Sequence, residues 1–112
     1  MFDEQQILRK KLITILDEKK KVSASYSLRN MAKDLQLSPG YLSDFLQGKK
    51  LVSPHCMEKM VSTFCVDLNE RKELLEKLQF EVIEATDLNG NRIISTRYSI
   101  LINTLTAPFD LD

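Results

Sequence analysis

The stretch SLRNMAKDLQLSPGYLSDFLQGKK, residues 27–50, decides the fold. Ser27 is a helix-capping residue, and Met31, Ala32 and Leu35 behind it recur at the spacing of one helical face. That pattern predicts a short helix over residues 28–35. Ser38-Pro39 is a second start signal, a capping side chain followed by proline where the missing N–H costs nothing. The helix it opens runs to about Gln47 and stops at Gly48. Only Gln36, Leu37 and Ser38 separate the two helices, which is helix-turn-helix spacing. Met31, Leu35, Leu37, Leu42 and Phe45 are apolar where two crossing helices and their turn must share a core. Ala32 is small where the second helix passes closely over the first.

Outward from this motif, residues 3–20 form a helix with Leu8, Leu12, Ile15 and Leu16 on one stripe. Lys19, Lys20 and Lys21 close it at the negative end of the helix dipole. Residues 22–26 are a polar linker. Ser53-Pro54 repeats the start signal, and Met57, Met60, Val61 and Phe64 are the buried stripe of the helix that follows. Asp67 and Glu70 have capping-box spacing and open a fifth helix through Leu74, Leu75, Leu78 and Val82. Glu81 and Glu84 continue its polar face, which carries the helix to about Ala85. Asn89-Gly90 is a turn signal that also permits a hairpin of residues 80–86 with 92–95. The preferred reading is a loop through Arg92 and a short helix over residues 96–105, capped by Ser95 and followed by Pro108. The expectation is an all-α chain: a five-helix domain over residues 1–87, and an extension over 88–112 that is a short helix or a hairpin.

The chain has 112 residues, 43% hydrophobic and 29% charged, which suits a single folded domain and excludes disorder. Its 16 Lys plus Arg balance 16 Asp plus Glu, but the balance is an average. Residues 1–66 carry 11 basic and 7 acidic side chains, whereas residues 67–112 carry 5 and 9. A basic first half and an acidic second half have to be explained together. No apolar run approaches the roughly 18–20 residues of a membrane span, and residues 1–6 lack the pattern of a signal peptide. The expectation is a cytoplasmic protein with no membrane partner.

Cys56 and Cys65, nine residues apart on a helix, fall on opposite faces about 13.5 Å apart along the axis, too far for a disulfide. They read as reduced thiols. His55, the only histidine, has one neighbouring cysteine and too few ligands for zinc. No nucleophile elbow and no phosphate-binding loop is present. The chain is expected to be no enzyme and to need neither cofactor nor metal.

Residues 27–66 resemble the lambda-repressor-like helix-turn-helix domain, through the stretch quoted above and the serine-capped helix after it. More narrowly, the chain is similar to the uncharacterised Fibrobacter/Bdellovibrio-type regulator family. The likeness lies in the Lys-rich first helix, in "YSLR" (Tyr26 to Arg29) and in "LQGKK" (Leu46 to Lys50). "ISTRYSILINTL", residues 94–105, is similar to the start of that family's C-terminal domain. The chain departs from the pattern at Gln36, where glycine is usual because the turn residue is left-handed; glutamine there costs about 1 kcal/mol.

The resemblance implies double-stranded DNA as the partner, with the second motif helix in the major groove. The residues it turns toward base edges are Ser38, Gly40, Ser43, Asp44 and Gln47. Gln47 suits adenine through its amide, whereas Asp44 accepts only from cytosine and repels phosphates. Phosphate contacts then fall to Arg29, Lys33, Tyr41, Lys49 and Lys50. One short helix reads few base pairs, so a homodimer is expected. Leu75, Leu78 and Val82 on the last helix are its candidate interface, unless that apolar surplus packs under residues 93–105. A rival reading is a protein-interaction module that has lost DNA binding, with a protein partner on the acidic half through Glu70, Glu73, Glu76, Glu81, Glu84 and Asp87.

Overall fold

The computed structural model describes residues 3–98. Five helices come first. Asp3 accepts from the Gln6 N–H and starts α1, Glu4–Val22, which buries Leu8, Leu12, Ile15 and Leu16. α2, Leu28–Leu35, is tied at its start by Asn30, whose side-chain oxygen accepts from the Ser27 N–H at 2.9 Å. α3, Pro39–Leu46, and α4, Pro54–Phe64, each begin on a serine whose hydroxyl caps the first turn ahead of a proline. α5, Leu68–Lys77, starts on Asp67, which accepts from the Asn69 and Glu70 N–H groups.

The α2–α3 turn is made without glycine. Gln36 stands at φ 59°, ψ 39°, in the left-handed region. Its N–H donates to the Lys33 carbonyl at 3.0 Å, and the Leu37 N–H reaches back to Ala32 at 2.9 Å. These two bonds close the helix end in a Schellman arrangement. α3 ends the same way, with Gly48 at φ 80° and bonds from Gly48 to Phe45 and from Lys49 to Asp44. Between these stops, α2 and α3 cross over a shared core of Met31, Ala32, Leu35, Leu42 and Phe45, all at 0% exposure. Truncating any of the larger ones to alanine costs about 2–5 kcal/mol.

The chain divides into two compact units between Val66 and Asp67. The first holds α1–α4 and the second begins with α5. This is also where the charge changes sign: the 11 basic and 7 acidic side chains of residues 1–66 give way to 5 and 9.

The all-α expectation is overturned in the second unit. α5 stops at Lys77, and Gln79 turns the chain at φ 72°. An antiparallel pair follows, β1 Phe80–Thr86 and β2 Arg92–Tyr98, so the fold is α+β and the C-terminal extension is a hairpin. Phe80 pairs with Tyr98, Ile83 with Ser95 and Thr86 with Arg92. The turn between them is closed by Gly90, at φ 83°, donating to the Asp87 carbonyl. The Asp87 carboxylate accepts from the N–H groups of Asn89 and Asn91, both at 2.8 Å. β-branched and aromatic residues favour the pleated surface, and Glu84 is held there by Lys72 at 2.8 Å and Arg92 at 2.7 Å. The helix expected over residues 96–105 is replaced by strand through Tyr98, and its remainder lies outside the described residues.

Candidate nucleic-acid interface

α3 buries Leu42 and Phe45, which turns its other face outward. On that face Ser38, Pro39, Gly40 and Gln47 are exposed and Ser43 and Asp44 half-buried. Ser43 and Gln47, one turn apart, are joined: the Gln47 side-chain amide donates to the Ser43 hydroxyl at 2.8 Å. An amide nitrogen carries two hydrogens. Spending one on Ser43 leaves a donor and the adjacent carbonyl oxygen, the pair that adenine presents its complement to in the major groove.

The first turn of α3 is open in a different sense. Ser38 satisfies the N–H of Tyr41 with its hydroxyl and that of Leu42 with its carbonyl, both at 3.1 Å. Pro39 has no N–H. The Gly40 N–H, a first-turn amide, has no intrahelical acceptor. A Cβ built on Gly40 meets nothing within 4 Å, so this turn presents bare backbone to solvent.

Tyr41 links α3 to the segment after it. Its hydroxyl donates to the Leu51 carbonyl at 3.4 Å, and the Lys50 ammonium lies 5.1 Å from its ring centre. Burial pushes the Tyr41 phenol above its ordinary value, so it stays a neutral donor. Arg29 and Lys33, one turn apart on α2, are exposed, as is Lys49. Asp34 is occupied, since the Tyr26 hydroxyl donates to its carboxylate at 2.8 Å. Burial, then that hydrogen bond, lifts the Tyr26 phenol far above the usual tyrosine range.

Three side chains that position this surface carry no motif. The Gln5 amide pairs with the buried Val52 backbone in both directions, accepting from its N–H and donating to its carbonyl, each at 3.0 Å. Arg9 donates to the Phe45 carbonyl near the end of α3 and stacks 5.0 Å from the Phe45 ring centre. A cation there complements the negative helix end. Lys59 on α4 donates to the Gln36 side-chain oxygen at 3.1 Å, which steadies the left-handed turn. Their partners lie 47, 36 and 23 residues away in sequence, and no local pattern announces such pairs.

The stripe expected to form a dimer interface does not continue along one helix. Leu75 and Leu78 are buried, at 1% and 0% exposure, and Val82 lies on β1 rather than on α5. Leu68, Leu75 and Val82 are spaced by seven, but the helix ends at Lys77 and Val82 falls outside it. Cys56 is half-buried with its thiol pushed up by burial, and Cys65 is buried; the two do not form a disulfide. Among the described residues no three His, Cys, Asp or Glu side chains gather as a metal site would require, and no helix is long and apolar enough to cross a membrane.

No family model, curated protein or solved structure matches this chain.

Proposed function

We propose that the chain is a transcriptional regulator that binds double-stranded DNA in a sequence-specific manner, with α3 in the major groove and two subunits on one site. The observation that carries the reading is the Ser43–Gln47 pair on the outward face of α3, which holds a side-chain amide with a donor and an acceptor free. Arg29 and Lys33, exposed on α2, and Lys49 and Lys50, exposed after α3, supply phosphate anchors in this reading, and the Gly40 N–H supplies a backbone donor. The excess of basic side chains in residues 1–66 puts the favourable field on the unit that holds α3. The resemblance to lambda-repressor-like domains agrees with this role, and a cytoplasmic location accompanies it.

A titration of the whole chain against a random DNA pool at low salt tests the reading. Binding is expected with a log–log salt slope near −5 for a dimer that neutralises about three phosphates per subunit. A dissociation constant weaker than about 100 µM for every sequence, which is non-specific strength or less, removes it. Asp44 favours a second reading, a protein-docking module. Its charge sits among the groove-facing residues, and the absence of DNA binding in the same titration selects that alternative.

A further inference from the structure

The two faces of the hairpin differ. Phe80, Val82 and Glu84 point the same way as Thr96, Ile94 and Arg92, and this face is tied to α5: Lys72 pairs with Glu84, and Arg92 donates to Asn69 at 3.0 Å. The opposite face carries six exposed residues in three cross-strand pairs, Glu81 with Arg97, Ile83 with Ser95 and Ala85 with Ile93. Ile83 and Ile93 are 44% and 42% exposed, well outside the usual fate of isoleucine.

Each of these pairs is unlike: acid with base, large with small, small with large. A two-fold axis lying between two such faces and parallel to the strands sets every residue over the copy of its own cross-strand partner. Glu81 then meets Arg97 of a second chain and Arg97 meets its Glu81. Ile83 rests on Ser95, and Ile93 rests on Ala85, so each large side chain faces a small one. The perpendicular in-plane axis does worse, stacking Ile83 on Ile83 and Glu81 on Ala85. We infer that this face is a homodimer interface, occupied by the same face of a second copy about 10 Å away. Within one chain Glu81 and Arg97 stand 3.9 Å apart and stay 55% and 64% exposed, which leaves both charges able to serve a partner. The inference rests on the strand register and on the exposure and charge of these six residues, and does not depend on DNA binding.

Seven-residue strands are about 24 Å long, so the face is smaller than the roughly 800 Å² per partner of standard interfaces, and the dimer is weak. Sedimentation equilibrium of the full chain without DNA tests it. Wild type is expected to self-associate over the range of about 10–500 µM. Glu81→Lys and Arg97→Glu are each expected to be monomeric there, because each sets like charges face to face twice. An equimolar mixture of the two variants regains the dimer, since a heterodimer restores both opposite-charge contacts while each chain keeps its own internal mismatch. Should a charge reversal disturb the hairpin, Ile93→Ser, which leaves its charges in place, loses self-association by itself. A wild type that is monomeric at 500 µM overturns the inference. So does a mixture no more dimeric than its components, or an Ile93→Ser chain that dimerises like wild type. A monomer whose hairpin amides resist hydrogen exchange overturns it in favour of another segment of the same chain.

Discussion

Replacing Gly40 with alanine separates what the fold requires from what DNA would require, because the two effects have opposite signs. Gly40 lies in the first turn of α3 with ordinary negative φ, and a Cβ there finds open space. Alanine therefore fits without strain and restricts the unfolded chain. The gain is about 0.5 kcal/mol, toward the low end for Gly→Ala at compatible sites because the residue is near a helix end. In a domain of this size that raises Tm by about 2–4 °C. On DNA the same methyl stands where the bare first turn would meet a phosphate or base edge. Losing one charge-assisted bond from the Gly40 N–H costs about 1.5–3 kcal/mol, a factor of roughly ten or more in Kd. Thermal melting by circular dichroism and a fluorescence anisotropy titration on one preparation read both numbers. A variant that melts higher yet binds DNA within twofold of wild type would refute the placement of this turn against DNA. One that melts lower would refute the conformation assigned to Gly40.

Gln47→Ala is expected to weaken binding to the preferred sequence by about 1–3 kcal/mol and to relax preference at one base position, read by selection from random DNA with each protein. Gln5→Ala leaves the buried N–H and carbonyl of Val52 without their partner, at a cost of about 1–3 kcal/mol in urea unfolding. Gln36→Gly removes a left-handed penalty of about 1 kcal/mol but also the Lys59 hydrogen bond, for a net gain of about 0.5 kcal/mol in the same assay. Acid acts on the hairpin. Hydrogen bonds from Lys72 and then Arg92 hold the Glu84 carboxyl below its ordinary value, and the backbone N–H of Asn91 does the same for Asp87. Both contribute stability above the unfolded values of about 4, lost as pH falls through the lower folded ones. NMR shifts of residues 80–97 are expected to move in that window, and Asp87→Ala removes part of the transition.

The α2–turn–α3 motif was legible because everything that makes it is local. Ser38 bonds within its own helix turn, Pro39 and Gly48 act through their own backbones, and the buried positions recur at helical spacing. The hairpin shows where such reading fails. Glu81 and Glu84, three apart, fit a helical polar face equally well, but on β1 they point to opposite sides, and Glu84 is fixed by Lys72 from α5. The helix end itself was hidden: Gln36 and Gln79 both turn the chain with positive φ and without glycine. The first is marked by the Ser38-Pro39 start two residues later and by the resemblance, which puts a left-handed residue at that position. After Gln79 there is no restart, only alternating residues that a helix could also have carried. The clamps of Gln5 and Arg9 are invisible for a third reason, since their partners come into reach only once α1 packs on α3 and on the segment after it.

The zero net charge then bears on how the proposed DNA contact and the proposed dimer depend on each other. Of the cations in residues 1–66, several are engaged within the unit: Arg9 at the end of α3, Lys59 on Gln36, and Lys19 between the Tyr26 and Phe64 rings. Arg29, Lys33 and Lys49 remain for phosphates, with Lys50 shared with the Tyr41 ring, too few for tight binding by one subunit. A small hairpin face is likewise too little for a tight dimer. Two weak contacts reinforce each other when both are made at once, because the second subunit on a paired site binds at an effective concentration that can reach millimolar. Occupancy of a two-fold site should therefore rise more steeply with protein concentration than occupancy of a half-site. Ile93→Ser, which spares every residue of α3, should abolish that steepness and leave half-site affinity unchanged.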